Sequence, residues 1–320
     1  MSRITSIFLL GAITLISGIA HAQQILIGLD ATPPFSALRP FSEPTLITLS
    51  FRSPDGATVS EGNASIALEA PPHGRIFSTD FPFVEGSRLL NVQLPIRSGT
   101  VRWEYLFPIR GEYRMTVNAV AGERRGSQSF AIRIREKEQK WLFLGVFTAA
   151  LFAAGFFAGR IFTGSQRKLV LLLALIGSLS LAGSLMADGK PSGEGEIQIS
   201  PAPVGDLSRI RWVQSGSGVS SSRKLSLKIT HLETQKTVFA VTEIPVEDEF
   251  AFDLEFTDGD EYSVDALSQQ DGNTTRSERT VGIVAREPPI RASAPSLIFF
   301  VAVVAGGLWS GRWSRHRPAN

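Results

Sequence analysis

The side chains of this chain that could hold a metal are few. His73, His231 and Met115 are the soft donors in its polar regions, and cysteine is absent. Copper would choose such ligands. His73 follows Pro71-Pro72 and reads as a loop residue, and the three donors fall in different domains or on opposite patterns, so no copper site is expected. Hard oxygen donors are denser. Glu247, Asp248, Glu249, Asp253, Glu255, Asp258, Asp260, Glu261 and Asp265 lie within 19 residues. A turn such as Asp258-Gly-Asp260 could take Ca²⁺, but the spacing does not follow the 12-residue EF-hand loop. Alternating acids on a strand equally describe a solvated face, so the sequence leaves Ca²⁺ binding open.

Catalytic signatures are missing. No Gly-x-Ser-x-Gly elbow or His-Glu-x-x-His pair occurs, and Ser215-Gly-Ser-Gly218 has no Lys-Ser/Thr after it to make a phosphate loop. His231 is the only histidine of its region, which leaves a Ser-His-Asp triad without support. Asn63-Ala-Ser and Asn273-Thr-Thr are glycosylation sequons in form only. The expectation is a non-enzymatic protein with no catalytic residue, no cofactor and no resident metal.

The elements that must position these residues are organised by membrane segments. Trp141–Gly159 and Leu169–Ala187 are uncharged runs of 19 residues each, and 292–311 is a third of 20. Each is long enough to cross a hydrocarbon core of about 30 Å as a helix. Residues 1–22 read as a secretory signal, with Arg3 before an apolar core and Ala20-His21-Ala22 at the cleavage position. Residues 23–140 and 188–291 alternate apolar and polar side chains in short runs such as Thr45–Phe51 and Leu90–Leu94, with turns at Ser53-Pro-Asp-Gly56 and Pro71-Pro-His-Gly74. Asp188–Glu196 reads as a linker. The fold class expected is therefore two all-β, Ig-like exported sandwiches plus three transmembrane helices, with a loop at 160–168 and a tail at 312–320.

Charge orients this arrangement. Residues 23–140 carry 14 basic and 12 acidic side chains, and 188–291 carry 11 and 18. Arg3, Arg160, Arg167, Lys168, Arg312, Arg315 and Arg317 make up the remainder, with no acid among them. All lie in short segments flanking spans, where basic residues mark the cytoplasmic side. Both β regions then face the periplasm of a bacterial inner membrane, and the C-terminus faces the cytoplasm. The net −7 of the second β region excludes a basic nucleic-acid surface. No span contains an ionisable residue, which argues against an ion or proton path. Small residues repeat instead, at Gly155-x-x-x-Gly159 and Gly307-x-x-x-Gly311, with Ala149/Ala153 and Ser180/Ser184 extending the pattern. Such faces pack helices closely, within this group or against a partner.

The two β regions end alike. Phe107-Pro-Ile-Arg-Gly-Glu-Tyr113 and Phe256-Thr-Asp-Gly-Asp-Glu-Tyr262 each join an aromatic strand to a tight turn and then Glu-Tyr. At these residues the chain resembles bacterial Ig-like modules of the polycystic-kidney-disease and fibronectin III kind. The resemblance implies a tyrosine corner, in which the Tyr113 and Tyr262 hydroxyls bond to backbone near the preceding strand, with Gly111 and Gly259 in the turns. It implies binding or scaffolding rather than a reaction. The function expected is an accessory or interaction protein of the cell envelope, whose partner is a membrane complex or a second copy. The alternative is a periplasmic ligand- or metal-handling module serving a membrane enzyme or transporter.

Overall fold

The computed structural model describes residues 24–74, 77–161, 195–214 and 223–314. The signal segment, the run Leu169–Ala187, most of the 160–168 loop, Ser215–Ser222 and the tail from Arg315 lie outside the described residues. The first half supplies β1 (Leu26–Thr32), β2 (Thr45–Arg52), β3 (Glu61–Glu69), β4 (Arg88–Arg97), β5 (Thr100–Tyr105), β6 (Gly111–Ala121), β7 (Arg124–Ile134) and α1 (Glu138–Ile161). The second supplies β8 (Gly195–Ser200), β9 (Leu207–Gln214), β10 (Arg223–His231), β11 (Lys236–Val246), β12 (Glu249–Glu255), β13 (Glu261–Gln270), β14 (Asn273–Gly282) and α2 (Ile290–Trp313). Alternation makes the strands: in β2, Ile47, Leu49 and Phe51 turn inward while their neighbours face out.

Each half builds the same antiparallel topology. In the first, β1-β2-β5 form one layer and β4-β3-β6-β7 the other. In the second, β8-β9-β12 and β11-β10-β13-β14 repeat that order. Aromatic rings bridge the layers, with Phe107 at 5.0 Å from Tyr113 and Phe256 at 4.4 Å from Tyr262. One buried apolar cluster runs through both halves.

The halves are not beads on a string. β4 pairs with β12 (Leu90↔Leu254, Asn91↔Asp253, Val92↔Phe252), and β5 pairs with β11 (Tyr105↔Phe239, Glu104↔Ala240). Each layer thereby continues from one half into the other, as β7-β6-β3-β4-β12-β9-β8 and β1-β2-β5-β11-β10-β13-β14. β4 corresponds to β11 in the repeat, and β5 to β12. The seam is therefore isologous, like a two-fold dimer interface made within one chain. Asn91 Nδ2 donates to Asp253 Oδ2 across it at 3.1 Å, and Leu106 N–H to Val238 O at 3.0 Å.

Two helices leave this β body, each 24 residues long and apolar enough to cross a membrane. At 1.5 Å per residue each spans about 36 Å. They run a few residues beyond the uncharged runs at both ends, to Glu138 and Ile161 and to Ile290 and Trp313.

Candidate functional site

The helix pair is built on glycine. Gly155 and Gly159 on α1 face Gly307 and Gly311 on α2, and these four are the buried residues of the two helices. A Cβ at Gly155 or Gly159 would collide with Val304 O or Leu308 O, and one at Gly307 or Gly311 with Phe152 O or Phe156 O. Residue numbers rise together along both helices in these contacts, so α1 and α2 are parallel. Without Cβ atoms the backbones touch, and dispersion holds them. The other side chains of the pair are largely exposed, including Trp141, Phe157, Leu297 and Trp309. The base of α1 is tied to the first β half by Arg110, which bonds to Glu136 at 2.6 Å and lies 5.8 Å from the Trp141 ring centre.

The first corner is apolar. Tyr113 is fully buried; its hydroxyl donates to Ile109 O at 2.6 Å and accepts from Ile109 N–H at 2.9 Å. Burial pushes the phenol well up, against the opposing effect of the Ile109 bond. Gly111 has φ +130°, and a Cβ there would press on the Pro71 ring. The β3–β6 pairing ends at Glu69↔Arg114, which leaves Ala70 and Tyr113 next in line on the two strands.

The second corner is polar where the first has Ala70, Ile109 and Gly111. Register puts His231 beside Tyr262, and Asp258 and Asp260 stand where the first corner has Ile109 and Gly111. The Tyr262 hydroxyl donates to the Asp258 carboxylate, not to backbone alone as the resemblance implies. Burial pushes this phenol up, and the Asp258 charge adds to it. His231 is 2 % exposed. Its Nδ1 accepts the Thr234 N–H at 3.2 Å, and its Nε2 lies 3.2 Å from Asp258 Oδ2 and 3.5 Å from Asp260 Oδ2. Asp260 Oδ1 accepts the Glu261 N–H at 2.7 Å. Glu233, on the β10–β11 turn, brings its carboxylate within 4.8 Å of both the His231 and Asp260 donor atoms. Gly259 is required by close approach, since a Cβ would strike Ala285.

His231 is therefore not isolated, as its region's composition suggests. Strand pairing carries it to acids 27 and 29 positions away in sequence. The readable signal was a shared register: His231 ends one strand and Tyr262 begins its neighbour.

The other sequence candidates disperse. Met115 is buried in the core, and His73 Nδ1 is 3.1 Å from the buried Glu85 carboxylate in the other half, which also accepts the Gly74 and Thr79 N–H groups. Glu249 pairs with Arg211, Asp253 with Arg209 and Asp265 with Arg276. The acidic run is thus several sites rather than one. Glu255 is 1 % exposed at the seam, and neither carboxyl oxygen has a hydrogen-bond partner among the described residues. Burial pushes it up to about 7; the Ser87 hydroxyl lowers it in part, and the Asp206 charge raises it. Ser87 relieves little of this, because its proton goes to Val84 O at 2.7 Å.

Comparison with family models and with characterised proteins finds no match. Among solved structures the chain is similar to dimeric latent PorU from Porphyromonas gingivalis, at 11% identity over 83% of this chain and 34% of that one, with a TM-score of 0.26. It is also similar to red sea bream transglutaminase, at 8% identity over 83% and 32%, with a TM-score of 0.23. The chain spans about a third of the length of either, and likeness at this level carries no argument about activity.

Proposed function

We propose that this chain is a non-enzymatic, membrane-anchored accessory protein of the bacterial cell envelope. Its fused sandwiches, which we read as relatives of fibronectin III-type modules, stand in the periplasm and serve a membrane complex or a second copy of the chain.

The observation that carries this reading is the parallel pairing of α1 and α2. Both helices start at the β body, so the chain must return from Ile161 to Gly195 across the length of a helix. The uncharged run Leu169–Ala187 lies in that interval, and Arg160 and Arg312 both lie at the ends far from the β body. A third span returning there reconciles the geometry with the basic flanks. Trp141 near one end of the helix pair and Trp309 and Trp313 near the other suit the two interfaces of a bilayer. The seam supports a presenting role, because strand pairing across it continues each sheet from one module into the other.

The chain has no cysteine, so single-cysteine variants report topology directly. In spheroplasts, an impermeant maleimide should label Ser127→Cys and Glu247→Cys, and label Ser165→Cys and Ser314→Cys only after permeabilisation. Labelling of Ser165→Cys from outside would sink the three-span arrangement. Purification in mild detergent should bring a stoichiometric protein partner or a homo-oligomer; a lone monomer would overturn the accessory role.

A further inference from the structure

We propose that the uncharged run Leu169–Ala187 packs as a helix antiparallel to α1, in the groove that α1 and α2 leave open on one flank, and so completes a three-helix bundle within one chain. This rests on the three-span reading and adds to it the place where the third span lies.

The glycine contact sets the flanks. At about 100° per residue, Gly145, Ala149 and Phe152 stand on one side of the Gly155/Gly159 line and Phe147 on the other. Phe147 closes its side by packing edge-on against Phe300, with ring centres 5.4 Å apart. Among the described residues the opposite side stays open. There Gly145, Thr148, Ala149 and Phe152 of α1 and Phe299 and Val303 of α2 line a groove of about 600 Å³. A Cβ on Gly145 would meet no neighbour among the described residues within 4 Å, and Ala149 and Phe152 are exposed. A strip of small residues beside an apolar ring is the surface on which another helix approaches closely in lipid.

The length of the chain fixes the occupant. α1 ends at Ile161, far from the β body, and β8 begins at Gly195, back on it. The run takes 19 of the residues between. That leaves seven, 162–168, to turn at the end of α1 and seven, 188–194, to reach β8. Helices joined by so short a connection are antiparallel neighbours as a rule. The tether also holds the run beside the groove at an effective concentration on the order of millimolar, ahead of a second copy.

Depth then matches the two faces. Ala149 lies 12 residues before the end of α1, and Ser180 lies 11 after the start of the run. At a rise of about 1.5 Å per residue, the two sit level in an antiparallel pair. The same register sets Gly145 against Ser184 and Phe152 against Gly177. Gly177, Ser180 and Ser184 are three and four apart, so they share one helix face. A ring thus meets a glycine, and two small residues meet two others. The serine hydroxyls leave hydrocarbon for a groove that also holds the Thr148 hydroxyl.

The test uses the cysteine-free full chain in its native membranes. Ala149→Cys/Ser180→Cys and Gly145→Cys/Ser184→Cys are oxidised with copper phenanthroline and denatured. Non-reducing gels with a maleimide-polyethylene glycol then count the free thiols. A disulfide needs Cβ atoms about 4 Å apart, which residues facing one another across a close helix contact provide. Each pair should lose both thiols at monomer size and regain them with reductant. Ala150→Cys/Ser180→Cys, at the same depth but about 100° round the helix, should keep both. The two pairs are independent, so if one fails to accumulate in the membrane the other decides. Disulfide-linked dimers through Ala149→Cys alone would overturn the proposal, because a second copy would then sit in the groove. Free thiols in both pairs would overturn it too. If Ser165→Cys is then labelled only after permeabilisation, the third span stands but lies elsewhere; labelling of Ser165→Cys from outside removes the span itself.

Discussion

The two sandwiches share a topology and a seam but differ in what they bury. Ala70, Leu106, Ile109 and Gly111 of the first correspond to His231, Glu255, Asp258 and Asp260 of the second. The first closes its corner with one tyrosine and two bonds to one residue's backbone. The second places carboxylates and an imidazole where those aliphatic groups would serve. An apolar corner is the cheaper solution, because each buried charge must be desolvated and partnered. The lesson is that repetition separates requirement from addition: what both copies keep holds the fold, and what one copy adds is free to do something else.

The largest effect is expected from forcing the second pattern onto the first. Ile109→Asp would bury a carboxylate with no histidine beside it, since Ala70 stands in that place. Destabilisation of about 4 kcal/mol, or failure to fold, is expected in denaturant unfolding followed by tryptophan fluorescence. A near-neutral result would mean that the corners tolerate charge alike.

Next comes the seam pair Leu106/Glu255. In the folded chain Glu255 keeps its proton up to about pH 7, whereas the unfolded chain releases it near 4.5. Stability is thus full below pH 4.5 and falls as pH rises towards and through 7, by about 3 kcal/mol at most. Glu255→Leu, which copies the first sandwich, should remove that part of the pH dependence and be the more stable protein at pH 8. Unfolding midpoints measured at pH 5 and pH 8 decide it; equal slopes for both proteins would place the carboxyl in contact with water.

The smallest effects compare the tyrosines. Tyr113→Phe strips both the N–H and the carbonyl of buried Ile109 of their partner, for a loss of about 2 kcal/mol. Tyr262→Phe takes one donor from Asp258, whose carboxylate water reaches, for about 1 kcal/mol or less. Thermal unfolding of the pair should show this order, and the reverse order would deny that the second corner rests on its polar cluster.

The strands were legible where one face is buried and the other wet. Thr45–Phe51 alternates without a break, and β2 follows it. β1 and β8 were not, for different reasons. β1 buries little along its length, and β8 opens inside a stretch whose glycine and serine read as linker. The seam left no mark, because a strand edge that pairs with another module has the same side-chain pattern as one that faces water; hydrogen bonding is a backbone property. The glycine pairs announced close packing but not their mutual choice, which depends on α1 and α2 rising from one body. Tyr113 and Tyr262 stood out by their repeated spacing, while the His231 cluster needed the β10–β13 register to exist at all.

The seam also sets an order of events during synthesis. Asn91 and Asp253, bonded across it, are 162 positions apart. At about 5–20 residues per second, the first sandwich stands complete for on the order of ten seconds before its partner strands emerge. For that interval β4 and β5 are bare edges in a crowded compartment, able to recruit strands from other chains. Until the second module arrives to cover them, these two strands are the edges of the half-made chain most open to mispairing.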